Sequence, residues 1–312
     1  MSLAILCSGQ GAQHAGMLDM LAGHPAAVEV IKAGEAVLGF NLRDVLAQPE
    51  NIFRNAIAQP LICISQLAIW KALESFIPKE PSMPKPAAFC GYSVGDLGAY
   101  ACAGALGAAE LARIAAARAA LMDTAAAAAP GGMLAVQGLR REELDRLCAD
   151  IRAWVAIAIS GEEFVAGGEH SALEKLGEAC AEHGAKATPL KVGVASHTPM
   201  LGAAVQPFRE LLAASALAAP AIPVVAGVDA AWVTRRETAI DKLALQLDRT
   251  IAWSDCLDTL YERGCRVFLE LGPGRALARM AQARFKDADA RAVDDFRTLE
   301  GVSAWLAKHA PA

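Results

Sequence analysis

Five residues, Gly91-Tyr92-Ser93-Val94-Gly95, constrain this chain more than any other stretch. They follow a short apolar run, Ala87-Ala88-Phe89-Cys90, and precede Asp96–Ala105, which contains no proline and reads as a helix. A strand that passes straight into a helix needs a tight backbone reversal, and glycines flanking the serine remove side chains that would clash there. The turn lifts the Ser93 hydroxyl out at a helix N-terminus. It also directs the next backbone N–H, that of Val94, to where an oxyanion would form. Ser93 is therefore a candidate nucleophile, with a helix-capping serine as the plainer alternative.

The remaining punctuation gives the organisation. An apolar strand over residues 3–7 breaks into Gly9-Gln10-Gly11-Ala12-Gln13. Helical stretches run to about residue 77 and end at a proline-rich connector (Pro78, Pro81, Pro84, Pro86). Another helix runs from 108 to 123, then frays into the alanines of 125–129 before a hinge at Pro130-Gly131-Gly132. Residues 133–192 have their own rhythm: strand 133–139, helix 140–150, strands 154–159 and 164–167, helix 169–183, strand 186–192. That βαββαβ order is a ferredoxin-like unit. It predicts an α/β chain in which 131–192 is inserted into a larger α/β layer made of 1–130 and 193–312. The larger layer resumes with strands at 224–228 and 266–271, the latter followed by a turn at Gly272-Pro273-Gly274.

Composition excludes several classes. At 312 residues the chain exceeds one ordinary core, and 54% hydrophobic against 20% charged residues rules out a disordered chain. Aromatics are only 5%, so the apolar count reflects alanine. No window is expected to reach the roughly 18 to 20 uncharged apolar residues of a spanning helix, and the N-terminus reads as a strand, not a signal peptide. A net charge of −5 with no single-sign block disfavours nucleic acid. Eight cysteines without a C-x-x-C pair fit buried free thiols in a reducing cytoplasm and give zinc, or any metal, little support.

A serine nucleophile needs a base. Of His14, His24, His170, His183, His197 and His309, His197 is preferred, because Ser196-His197-Thr198-Pro199 lies where the inserted unit returns to the large layer. His14, after the first glycine loop, is its main competitor. At about 100° per residue, Arg118 falls in the apolar stripe of Leu111, Ile114, Ala115 and Met122. A guanidinium there needs an anionic partner, either an internal carboxylate or a ligand carboxylate held by two parallel hydrogen bonds. Phase alone does not decide between them. The first glycine loop lacks G-x-G-x-x-G spacing, which leaves a dinucleotide site weakly supported.

Taken in order, Gly9-Gln10-Gly11-Ala12-Gln13, Gly91-x-Ser93-x-Gly95, Arg118, Ser196-His197 and Leu271-Gly272-Pro273-Gly274 make the chain resemble the malonyl-CoA:acyl carrier protein transacylases over nearly its whole length. The resemblance implies an α/β-hydrolase-like large domain with the ferredoxin-like insertion. It casts Ser93 as acylated nucleophile, His197 as general base and then acid, and Arg118 as the malonyl carboxylate clamp. It further implies an oxyanion hole from the Gln10 and Val94 N–H groups and a Gln246 main-chain carbonyl that orients the histidine. No tightly bound cofactor is implied. Malonyl-CoA is the substrate and a phosphopantetheine-type thiol on an acyl carrier protein the acceptor.

Three departures shift the resemblance within that family. Tyr92 stands where fatty-acid-synthesis members usually have histidine, Ser8 where they have proline, and Ile157-Ala158-Ile159 where they have Asn-x-Asn. Gly91-Tyr92-Ser93-Val94-Gly95, with Arg291–Arg297 and Gly301–Leu306, instead looks like the epsilon (transacylase) subunit of bacterial malonate decarboxylase, whose partners are a dedicated carrier and the other decarboxylase subunits. A transacylase of fatty-acid or polyketide synthesis, a serine thioesterase or hydrolase, and a non-catalytic docking subunit are the alternatives. An acidic carrier needs a local basic patch, for which Arg275, Arg279, Arg284 and Lys286 are candidates.

Overall fold

The computed structural model describes residues 2–76 and 84–309. Pro78 and Pro81 of the expected connector lie outside the described residues. Strand β1 (Ser2–Cys7) lies at the centre of the larger sheet, paired in parallel with β2 (Pro86–Gly91). Its side chains alternate between two cores, Leu3, Ile5 and Cys7 facing one and Ala4 and Leu6 the other. Burial on both faces explains why β1 reads as continuous apolar sequence.

Helices α1 (Pro25–Leu38), α2 (Leu42–Leu46), α3 (Asn55–Glu74), α4 (Gly95–Cys102) and α5 (Ala108–Ala128) follow in this half of the chain. Two expectations need correction here. Helix α3 is long and apolar enough to cross a membrane, although no such segment was expected. It is 83% buried inside the protein, packed against α1, α4 and α5, so its apolar surface serves the core. The alanines of 125–128 do not fray; they are the last turn of α5, as expected of the best helix former.

Strands β3 (Gly132–Gln137), β4 (Ala153–Ala158), β5 (Glu163–Gly168) and β6 (Lys186–Pro189) form a second, antiparallel sheet in the order β4-β5-β3-β6. Helices α6 (Arg141–Ala149) and α7 (His170–Glu182) complete the βαββαβ order. One face of this sheet packs on those helices through Leu134, Val136, Val155, Leu144 and Leu176. The other sends Met133, Ile157 and Val165 into the core that holds Ala4, Leu6 and Trp253. β6 ends at Pro189, short of the expected 192. The Leu190 N–H still bonds the Met133 carbonyl, but the Val192 N–H turns back to the Leu190 carbonyl, and that tight turn ends the ladder.

Beyond it come α8 (Gly202–Ala213), β7 (Val224–Val225), β8 (Trp232–Val233), α9 (Arg236–Leu245), α10 (Trp253–Glu262), β9 (Cys265–Leu271), α11 (Ala276–Arg284), β10 (Asp289–Ala292) and α12 (Leu299–Ala307). The larger sheet runs β10-β9-β1-β2-β7-β8, parallel except for β8. The strand expected over 224–228 stops at Val225, because Ala226 and Ala231 close a turn into β8. Edge strand β4 is fastened to the segment before α10. The Ala158 N–H bonds the Ile251 carbonyl at 2.9 Å, the Ile251 N–H bonds the Ala156 carbonyl at 2.9 Å, and Thr250 Oγ1 bonds the Val155 carbonyl at 2.6 Å.

The turn after β2 depends on its glycines. A Cβ on Gly91 would lie 2.1 Å from the Asp96 backbone, and one on Gly95 would lie 2.2 Å from the Cys7 carbonyl oxygen. Both neighbours are main chain and cannot rotate away. Gly95→Ala is expected to cost at least about 2 kcal/mol through overpacking, read as a lowered thermal unfolding midpoint. An unchanged midpoint would mean that α4 does not press on the end of β1 in solution.

Candidate active site

Ser93 stands between β2 and α4 with φ 57°, a left-handed conformation that costs a residue with a Cβ on the order of 1 kcal/mol or more. His197 has φ 62° and lies 104 residues further along the chain. The two strained residues meet: Ser93 Oγ is 2.8 Å from His197 Nε2. On the far side of the ring, Nδ1 is 2.6 Å from the Gln246 carbonyl oxygen, and the His197 N–H bonds the Leu247 carbonyl at 3.0 Å. Gln246 follows the last residue of α9, where carbonyls lack an intrahelical partner and carry the negative end of the helix dipole. A carbonyl can only accept. The Nδ1 atom therefore carries the proton and Nε2 is left free to take the one on Ser93. Burial, with the nearby Arg118 charge acting in the same direction, pushes the imidazole down to about 3, so it stays neutral with Nε2 unprotonated.

Two backbone donors flank the serine. Neither the Val94 N–H, at the start of α4, nor the Gln10 N–H, in the loop after β1, has an acceptor among the described residues. The Gln10 side chain is anchored to Asn55 Oδ1 at 3.0 Å. The loops after β1 and β9 pack on each other: a Cβ on Gly272 (φ 97°) would lie 2.5 Å from Ser8 Oγ.

Arg118 is 2% exposed on the buried stripe of α5, as its phase predicts. The internal carboxylate allowed by the sequence is not its partner. Its Nη1 donates to Gln59 Oε1 at 2.8 Å and its Nη2 to Gln246 Oε1 at 3.1 Å. The remaining donors of the fork have no acceptor among the described residues, and burial pushes the guanidinium down to about 10. The other end of the Gln246 amide, Nε2, donates to Asp96 Oδ2 at 2.8 Å. Burial raises the Asp96 carboxyl to about 7, against the opposing pull of the Gly227 N–H, Arg118 and Gln246.

Ser93, His197 and Gln10 line one cleft of about 740 Å³ between the two sheets, walled on the second-sheet side by Met133, Ile157 and Val165. Val94, Arg118 and Gln246 are not among the residues that line it. Tyr92 also faces the cleft and packs edge-on against Trp253 at 5.3 Å between ring centroids. His14 is not the partner of Ser93. It pairs with Asp294 at 3.0 Å and lines a separate cavity near Gly274. His24 and His183 bond Ser75 Oγ and the Ala179 carbonyl, and His309 bonds Asp289. His170 lines the cleft at the start of α7. The four basic residues at and after α11 do not line the cleft, and Arg275 and Arg284 are paired with Asp295 and Asp258. The cations at its rim are Arg54 and Lys191. All eight cysteines are free and buried. Asp96 and Gln59 escaped the sequence reading. An acid in the first turn of a helix looks like an ordinary dipole partner, and nothing local marks it as buried.

The acyl transferase domain family matches residues 5–302. The chain belongs to the acyl transferase family. The match spans both sheets and every residue placed at the cleft above. This acyltransferase is 33% identical, over 96% of its length and 99% of the relative's, to the malonyl CoA-acyl carrier protein transacylase of Mycobacterium tuberculosis. Its backbone superposes on the corresponding transacylase of Coxiella burnetii with TM-score 0.91 at 26% identity, covering 98% and 96% of the two chains. A malonyl-transacylase solved in complex with its type II polyketide acyl-carrier protein is similar at TM-score 0.89 and 29% identity, covering 96% and 98%. The mixed α/β architecture is that of these transacylases.

Proposed function

We propose that this acyltransferase moves a malonyl group from malonyl-CoA, through an ester on Ser93, to the phosphopantetheine-type thiol of an acyl carrier protein of fatty-acid or polyketide synthesis. The observation that carries the reading is a buried guanidinium with only amide partners behind a serine–histidine pair. It supplies a fixed positive fork for an acyl group that ends in a carboxylate. The named transacylase relatives support the same choice.

In this mechanism Ser93 Oγ attacks the thioester carbonyl as His197 Nε2 takes its proton. The Val94 and Gln10 N–H groups hold the oxyanion, each contributing on the order of 10² to 10³ in rate. The C–S bond then breaks, and the imidazolium returns the proton to the departing coenzyme A sulfur. The carrier thiol next gives its proton to His197 and attacks the malonyl-serine ester; the ester C–O bond breaks and the imidazolium returns the proton to Ser93 Oγ, completing a ping-pong sequence. The Gln246 carbonyl keeps the ring oriented through both halves. On this reading 1–130 with 193–312 form the α/β-hydrolase-like part, and 131–192 a ferredoxin-like insertion that covers the ester from water.

A malonate decarboxylase carrier is the second reading, favoured by Tyr92 and Ile157 facing the cleft in place of the usual polar residues. Transfer from malonyl-CoA to a fatty-acid carrier and to a malonate decarboxylase carrier, measured side by side, is expected to favour the first by at least about tenfold in kcat/KM. The reverse preference would install the decarboxylase reading. Arg118→Ala is expected to lower malonyl transfer roughly 100-fold while leaving acetyl transfer nearly intact. Equal losses would return Arg118 to a structural role.

A further inference from the structure

Gln246 meets three functional groups at once. Its main chain holds His197, its Oε1 accepts from Arg118, and its Nε2 donates to Asp96. A side-chain amide can face either way round, and the wrong way would turn its NH₂ on the guanidinium, setting donor against donor. Arg118 alone favours the observed orientation. Asp96 enforces it from the other end, because its Oδ2, which also accepts from the Gly227 N–H, meets only donors there. Asp96 is 1% exposed, on the first turn of the helix that begins just after Ser93. Its Oδ2 takes the Gln246 bond and a 3.3 Å bond from the Gly227 N–H, while its Oδ1 has no hydrogen-bond partner among the described residues.

A buried carboxylate without a direct cation and with an unpartnered oxygen is an expensive way to fill space. An apolar side chain of similar size would satisfy packing alone. We infer that Asp96 is a positioning residue: by accepting from Gln246 Nε2 it keeps the amide oxygen on Arg118 and so aims the guanidinium fork at the acyl carboxylate. This rests on the reading of Arg118 as the malonyl clamp.

The test compares acylation of Ser93 by malonyl-CoA and by acetyl-CoA in the full-length protein, with thermal midpoints to confirm folding. Asp96→Ala removes the acceptor and is expected to lower the malonyl-to-acetyl ratio roughly tenfold, chiefly through the malonyl-CoA KM. Asp96→Asn keeps an oxygen for Gln246 Nε2 and is expected to restore the ratio to within about threefold. Asp96→Ala placed on Arg118→Ala is expected to cause no further fall. A folded Asp96→Ala protein with an unchanged ratio, an equal loss with both donors, failure of asparagine to rescue, or an added loss without Arg118 would each overturn the proposal alone. If Arg118→Ala itself keeps its malonyl preference, the clamp reading fails and the proposal falls with it.

Discussion

Ser93→Ala is expected to abolish the single malonyl adduct that intact-mass analysis should find after exposure to malonyl-CoA, and to lower transfer by roughly 10⁶-fold. The size of the effect follows from the geometry. Ser93 Oγ is the atom within 2.8 Å of an unprotonated imidazole nitrogen, beside two free backbone donors. Alanine leaves the turn and the donors in place but provides nothing that can form an ester. Because the glycines on either side carry the steric burden of the turn, the variant should fold normally. A malonyl adduct that survives the change would remove Ser93 from the mechanism. Undiminished activity of a larger assembly carrying it would favour a docking role. Rapid release of coenzyme A by the unaltered protein without any carrier would favour a hydrolase.

His197→Ala should lower acylation by about 10² to 10⁴, the range of a lost general base, and the unaltered enzyme should show an unusual pH profile. An ordinary histidine would begin to protonate near 6.5 and lose its basicity as the pH falls. Burial and Arg118 hold His197 near 3, so acetyl transfer, which does not need the fork, is expected to stay flat from about pH 8 to about pH 5. An acid limb near 6.5 would show that solvent reaches the ring in the working enzyme. The same shift has a consequence for stability. Between 6.5 and about 3 the unfolded chain binds a proton at this histidine and the folded chain does not, so its contribution is lost as the pH falls through that window. Asp96 acts in the opposite sense. Its folded value of about 7 lies above the ordinary aspartate value of 3.8, so the folded chain binds the extra proton between them and stability declines as the pH rises there.

The parts of this molecule that are legible in its sequence are those where a local pattern and a tertiary demand coincide. The glycines around Ser93 announce a turn that no other residue could make. The apolar phase of α5 places Arg118 inside, and the alternation of helix and strand marks out 133–192. Elsewhere the information is not local. β8 is two residues long, and β10 reads Asp-Ala-Arg-Ala; they are strands because β7 and β9 offer them partners. Helix α3 carries apolar residues all round its axis with few charges, a pattern shared by a membrane span and a core helix, and only its neighbours decide which. The amides of Gln59 and Gln246 replace the carboxylate that a buried arginine seemed to require. That substitution can be seen only once three distant segments are assembled.

Three hydrogen bonds along β4 tie the second sheet to the stretch that also carries Gln246. The sheet is also held through its face, where Met133, Ile157 and Val165 pack on the core of Ala4, Leu6 and Trp253. Margin and face together clamp that layer over the segment whose Gln246 carbonyl holds His197 Nδ1, so the imidazole and its carbonyl keep their spacing without a carboxylate to anchor them.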